Sequence, residues 1–241
     1  MFYVIYRLSD SGSGFPQHLN IDKMTCFRNF MDVFQDTKIV VIADNCSQLT
    51  ISKINKYPLE IIETSLGNSG SLKYAFDFAL QNYLYENDVV YFVEDDFLHL
   101  KGSKELLLEG LSLAHYASLY DHLDKYMDPS QNPYIKGGGE ITKVMLTRNS
   151  HWKITNSTTQ TFCTRMGTLR ADKEILYKYN FKGDMPDSFN TFIELNKNKR
   201  LLVTCIPGNS TTVDSFMSPL ISWNDVIKKY RGDDFIGKTH N

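Results

Sequence analysis

Glu94, Asp95 and Asp96 stand side by side directly behind the apolar run Val89–Val93. The run is continuous, β-branched and aromatic, and too short for a lone helix, so it reads as a buried strand. A buried strand that ends in acids places them at the carboxyl edge of a sheet, where open α/β sheets bind ligands. Adjacent like charges repel, and the repulsion is relieved by solvent or by a cation among them. Mg²⁺ or Mn²⁺, held by one or two carboxylates plus substrate phosphates, suits that chemistry. The plain alternative is an acidic strand-to-loop turn that aids solubility.

With 241 residues, 42% of them hydrophobic, the chain closes a proper core. No Pro/Gly/Ser-rich linker divides it, so a single domain is expected. A net charge of −2 leaves no basic footprint for nucleic acid. No apolar run approaches the roughly 18 residues of a membrane span. The opening Met1–Arg7 reads as a strand without the basic leader of a signal peptide. Cys26, Cys46, Cys163 and Cys205 form no CxxC pair and read as small core residues in a reducing compartment. A cytoplasmic protein is the expectation, which leaves the Asn-x-Ser/Thr triplets at Asn45, Asn156 and Asn209 as chance.

Up to Asp96, strand and helix alternate. Strands are expected at Phe2–Leu8, Lys38–Ala43, Leu59–Glu63 and Asp88–Val93. Helices are expected at 21–34, with Met24, Phe27, Phe30, Met31 and Phe34 on one stripe, and at 71–85, with Leu72, Ala75, Phe76, Ala79, Leu80 and Tyr83. That order implies right-handed crossovers and a mostly parallel central sheet flanked by helices, a Rossmann-like α/β fold. Farther on, a helix at 103–113 with a second helical stretch at 114–125 is expected. The Gly137-Gly-Gly139 segment reads as a flexible joint, and residues 153–166 alternate weakly, as hairpin strands do. Helices at 171–179 and 187–197, a strand at 200–206 and a polar, mobile tail from Asn224 complete the pattern.

The strand ends supply the candidate site. Arg7 and Ser9 follow the first strand, Asp44 and Asn45 the second, and Gly67-Asn68-Ser69-Gly70 the third. Asp44 is suited to accept from a base imide or a ribose hydroxyl. The glycine turn opens a helix whose free N–H groups suit a phosphate, and Lys73 is one turn further in. Each has a plain reading too: turn residue, helix punctuation, solvated charge. Their convergence on the acid-bearing edge favours the functional one.

This order of parts, with Val93-Glu94-Asp95-Asp96 closing the fourth strand, resembles the GT-A superfamily of nucleotide-sugar glycosyltransferases. The resemblance is to the E-D-D variant of the D-x-D motif and covers residues 1–99. It implies a nucleotide-binding half over 1–99, an acceptor and catalytic half over 100–223, and the tail beyond. It implies that Asp96 ligates Mn²⁺ or Mg²⁺ and that Asp95 approaches the metal, ribose or donor sugar. Glu94 then braces the site, Asp44 contacts the nucleoside, and Arg7 lies nearby. The donor it implies is a UDP-sugar and the acceptor a glycan or other hydroxyl. The segment Cys205–Thr212 followed by Ser218–Trp223 is similar to a late strand-loop element of some GT-A proteins, where a His often completes the metal shell. Thr212 stands there in this chain, with Asp214 and His240 as substitutes. An inverting enzyme needs a carboxylate base, and Asp187, ahead of Asp184, fits by opening a late helix; an N-cap role fits it equally. Retention needs no base. Gly137–Glu140 and Trp152 are candidates for the acceptor cleft, while His99, His115 and His151 have plainer roles.

Three other readings compete. A phosphorelay receiver needs an aspartate at the end of a later buried strand, and Asp128 follows none. A sugar nucleotidylyltransferase shares the sheet and the acids but needs a Gly-rich, basic loop after the first strand; Ser11-Gly-Ser-Gly14 has only Arg7 near it. A non-catalytic sugar-binding module has no need of an acid triplet.

Overall fold

The computed structural model describes residues 1–11, 21–181, 183, 185–214 and 216–232. The first part of the chain runs β1 (Phe2–Ser9), α1 (Lys23–Val33), β2 (Lys38–Asp44), α2 (Gln48–Ile54), β3 (Glu60–Thr64), α3 (Gly67–Asn82) and β4 (Val89–Glu94). Then come β5 (Phe97–His99), α4 (Ser103–Leu113), β6 (Tyr116–Ser118), a 3-10 turn (Leu123–Tyr126), β7 (Val144–Leu146), β8 (His151–Thr155) and β9 (Phe162–Arg165). The chain closes with α5 (Met166–Ala171), α6 (Lys173–Asn180), α7 (Ser188–Lys197), β10 (Leu202–Ile206), β11 (Ser210–Thr212) and α8 (Trp223–Tyr230).

The main sheet has the order β3-β2-β1-β4-β9-β6-β10-β8-β7, and β5 pairs with β11 beside it. β3, β2, β1 and β4 are parallel neighbours, and β6, β10 and β7 point the same way; β9 and β8 run against them. The expected α/β architecture, a large and mostly parallel sheet between helices, is present.

Period-two alternation sorts the central strands between two helical layers. Val4, Tyr6 and Leu8 of β1 and Val89, Tyr91 and Val93 of β4 face α1 and α4. Tyr3 and Ile5, with Val90 and Phe92, face α3 and the later helices. The stripes expected on α1 (Phe27, Phe30, Met31, Phe34) and α3 (Leu72, Ala75, Phe76, Ala79) are buried in these layers. Each fully buried Phe contributes about 1.5–3 kcal/mol of hydrophobic free energy. Under α4, Gly110 permits the sheet's close approach: a Cβ there would meet Ala117 and Trp152 at 2.8 Å.

Three expectations fail. Residues 114–125 do not extend α4 as a helix; Tyr116–Ser118 form β6, a strand buried on both faces between β9 and β10. Its Tyr-Ala-Ser content satisfies either period, and tertiary burial decides. β8 and β9 do not form a hairpin. β6 and β10 lie between them, because alternation specifies which face a strand buries and not which partner it takes. Residues 224–230 are not a tail: α8 buries Trp223, Ile227 and Tyr230, and Arg28 of α1 donates to the Tyr230 carbonyl at 2.9 Å. Residues 233–241 lie outside the described residues.

His99 has the plain role expected of it. It is buried, its Nε2 is 2.8 Å from the Tyr91 hydroxyl, and Asn29 holds its backbone on both sides. Burial pushes its pKa down from 6.5 to about 3. Between those values the unfolded chain binds a proton that the fold refuses, so stability falls as pH falls through that window. The expected slope from this group is about 1.4 kcal/mol per pH unit. Denaturation titrations at stepped pH should show a flatter acid limb for His99→Gln than for the wild type.

Candidate functional site

The carboxyl ends of β1, β2, β3 and β4 lie in register: Arg7 opposite Glu94, Ser9 opposite Asp44, and Asp44 opposite Thr64. The alternation that sorts the core continues through these tips. Glu94 follows Val90 and Phe92 onto the α3 face, as Arg7 follows Tyr3 and Ile5. Arg7 is buried and donates to Glu94 Oε1 at 3.1 Å, to the carbonyl and Oδ1 of Asn68 at 3.0 Å, and to Ser71 Oγ at 3.3 Å. On its other side Glu94 Oε2 accepts from the Gln160 N–H at 3.1 Å.

Asp95 takes the α1 side. Its Oδ2 accepts from the Ser9 N–H at 2.8 Å and pairs with Lys23 Nζ at 2.9 Å. Burial pushes its carboxyl up, against the pull of Lys23 and Arg7. Lys23, at the start of α1, also donates to the Ser9 and Ser11 carbonyls.

Asp96 has no such relief. Its carboxylate has no side-chain partner among the described residues, while burial and then the charges of Glu94, Asp95 and Asp214 push its carboxyl well above the ordinary range. Its carbonyl accepts from the Val213 N–H at 3.0 Å, which lays the strand-loop after β11 against it. There Thr212 donates to Asp214 Oδ1 at 2.5 Å and lies 3.4 Å from the Tyr120 hydroxyl. The late element singled out in the sequence therefore reaches the acids, through Asp214 and Thr212.

Asp44 is buried and saturated. It accepts from Thr64 Oγ1 at 2.9 Å, Asn45 Nδ2 at 2.9 Å, and the Leu66 and Gly67 N–H groups at 2.6 and 3.0 Å. The expected nucleoside acceptor thus holds the start of α3, and no lone pair is spare. Gly67 takes φ +73° at this junction. Asn45, itself at φ +52°, accepts from Ser65, and Gly70 lies in the first turn of α3 against Leu66. Lys73 turns away from the edge: it pairs with Asp77 at 2.6 Å and lies over the Tyr177 ring, a contact along α3 that competes with a reach toward phosphate.

In the second half, Asp187 caps α7, its carboxylate accepting from Asn190 N and Nδ2 at 3.0 and 2.6 Å. Met185, nearby, accepts from Asn68 Nδ2, so the loop before α7 borders the start of α3. Asp184 and His240 lie outside the described residues. Trp152 is fully buried against α4 and lines no cleft. Glu140 is likewise withdrawn, between Lys125 at 3.5 Å and Lys153 at 3.3 Å.

Among the described residues no three His, Cys, Asp or Glu side chains are arranged to hold a metal by themselves. Two of the three tandem acids already have cationic partners. What fits a divalent ion is the lone, charge-crowded Asp96 with Asp214 beyond it, since Mg²⁺ takes one or two carboxylates and fills the rest of its shell from phosphate and water. The sequence reading missed Lys23, Gln160 and the segment after β6. The acid- and base-rich Tyr120-Asp-His-Leu-Asp124 was a usable signal for the last.

No protein-family model matches the chain, and no curated protein matches it. Solved structures share its fold. CMP:2-keto-3-deoxy-manno-octonic acid synthetase, complexed with CTP, superposes at TM-score 0.52 with 13% identity over 86% of this chain and 92% of that one. HddC from Yersinia pseudotuberculosis superposes at TM-score 0.50 with 12% identity over 96% of this chain and 100% of that one. Among the described residues, no helix is long and apolar enough to cross a membrane.

Asp44→Ala should cost about 1–3 kcal/mol by orphaning the Leu66 and Gly67 N–H groups. Urea denaturation should show the loss and amide exchange should place it at those two residues. Wild-type exchange there would mean that α3 needs no such anchor.

Proposed function

We propose that this chain transfers a sugar from a nucleoside-diphosphate sugar, UDP-linked by the GT-A resemblance, to a glycan or other hydroxyl acceptor, with Mn²⁺ or Mg²⁺ at Asp96. The observation that carries the reading is the charge balance of the carboxyl edge. Arg7 and Lys23 reach it already neutralised, by Glu94 and Asp95. Asp96 is left crowded by acids. These two cations are thus not spare for a triphosphate, while Asp96 offers a free carboxylate to a metal that arrives with a diphosphate. When bound, that ion offsets the negative charge that builds on the leaving diphosphate. Arg7 and Glu94 fix the β1, β4 and α3 ends against one another, and Asp44 fixes the α3 terminus from the β2 side, so the donor meets a rigid rim.

A second reading, sugar nucleotidylyl transfer, is favoured by the structural neighbours. One of them is by name a synthetase of a CMP-linked sugar acid, held with CTP. Lys23 adds to it, since its contacts with Ser9 and Ser11 bring a base to the segment after β1.

The two readings differ in their products. A panel of nucleoside-diphosphate sugars with Mn²⁺ should release nucleoside diphosphate, and chelation should stop it. Pyrophosphate released from a nucleoside triphosphate and a sugar phosphate would establish the second reading instead. Neither product, with nucleotide still bound, would leave a binding module. Asp96→Asn should lower turnover by about 10²-fold or more and remove metal-dependent nucleotide binding in calorimetry. It should melt no lower than the wild type, because one repelling charge is gone.

A further inference from the structure

After β6 the chain turns through Tyr120-Asp121-His122-Leu123-Asp124, on the Asp96 side of the sheet. The Tyr120 hydroxyl donates to the Phe216 carbonyl at 2.7 Å and meets Thr212. Phe216 N–H in turn donates to Asp214 Oδ1 at 2.7 Å. The His122 ring lies between the Tyr120 and Phe216 rings, at centroid distances of 4.8 and 5.3 Å. A short chain of contacts therefore runs from His122 to Asp214 and the crowded Asp96.

His122 is held by a buried carboxylate. Its Nδ1 lies 2.6 Å from Asp124 Oδ1, with the Asp124 side chain 4% exposed and that of His122 22% exposed. The Asp124 backbone N–H also points at Nδ1, from 3.2 Å, and the two contacts ask opposite things of that nitrogen. The carboxylate is nearer, and Asp124 Oδ1 is buried with no other hydrogen-bond partner. An unprotonated Nδ1 would set a lone pair against that orphaned oxygen and leave a buried charge without a donor. The nearer contact assigns the proton to Nδ1, as donor to Asp124. In that tautomer Nε2 is the acceptor, without a protein partner among the described residues. A carboxylate that fixes the tautomer and orientation of an imidazole is the arrangement that makes histidine a general base.

We propose that His122 is the general base of the transfer reaction and that Asp124 is its positioning residue. The proposal rests on the glycosyl-transfer reading and deepens it. Nε2 takes the proton of the acceptor hydroxyl as that oxygen bonds to the anomeric carbon. The bond from the anomeric carbon to the diphosphate oxygen breaks with its electron pair, releasing nucleoside diphosphate. The proton then leaves the imidazolium to solvent. A single displacement of this kind inverts the anomeric centre. Asp187, by contrast, has both carboxylate oxygens engaged at its cap.

The test joins spectroscopy with kinetics on the full chain. Nitrogen-15 NMR of the wild type should show the Nδ1–H tautomer at His122, and Asp124→Asn should lose it. This readout needs no substrate and no variant of His122. His122→Asn and His122→Gln should each lower kcat by about 10²-fold or more, with donor KM and metal-dependent binding of nucleoside diphosphate unchanged. The product anomer should be inverted. An Nε2–H tautomer in the wild type would overturn the assignment. So would wild-type nucleoside diphosphate release by both His122 variants, and a loss confined to Asp187→Asn would return the base to the loop before α7. Pyrophosphate release in place of nucleoside diphosphate would instead remove the glycosyl-transfer reading itself, and the hydroxyl-deprotonating role with it.

Discussion

Everything at the carboxyl edge depends on how three consecutive carboxylates are kept apart. The pleat of β4 does the separating, sending Glu94 toward α3 and leaving Asp95 for α1. Each then meets a cation that the same logic has delivered: Arg7 by the alternation of β1, and Lys23 by the start of α1. These pairs sit in partly dry surroundings, where losing one partner is far costlier than the pair is worth; a lone buried guanidinium costs about 3–5 kcal/mol. The pairing therefore fixes the relative positions of β1, β4, α1 and α3 more firmly than apolar packing alone would. It also isolates Asp96 chemically, since its neighbours' charges are matched elsewhere.

That isolation links fold to function. An acid with no counter-charge among the described residues calls for one from outside, and under the proposed reading a metal-bound diphosphate would supply it. The late β11 segment is fastened to the same spot through the Asp96 carbonyl, so the acid-bearing edge and the loop after β11 share one frame. The loops around such an edge are where specificity commonly resides.

The first hundred residues were largely legible because their elements are periodic and their connections short. The stripe on α1 and the acid-tipped β4 are examples, and the α/β class followed from their alternation. The second half was less so. β6 was lost to a helix because a three-residue strand buried on both faces has no period of its own. β8 and β9 were joined because alternation is silent on partners. At the site, sequence order brought Arg7, Glu94, Asp95 and Asp96 to one edge, as the structure does. It could not tell that Asp44 turns inward to α3 or that Lys73 turns along its helix, since both outcomes depend on nearby competitors for the same polar atoms. Lys23 escaped because its partner, Asp95, is distant in sequence; the His122–Asp124 pair is local, but only the fold brings it beside the β11 loop.

The glycine-rich stretch runs into an anchored residue, because the Glu140 carboxylate sits between two buried ammonium groups. Lys153 also pairs with Asp121 at 2.9 Å, and Lys125 donates to the Ser157 carbonyl at 2.7 Å. Burial brings Lys125 down to about 8, a mark of how narrowly its charge is supported. With Asp121 the cluster holds two cations and two anions, so loss of Glu140 alone would leave a surplus cation and loss of either lysine alone a surplus anion. Single steps away from this arrangement are therefore penalised, and paired steps are not. In descendants of this chain, positions 121, 125, 140 and 153 should drift as a set, with charge conserved across the four even where the individual residues are not.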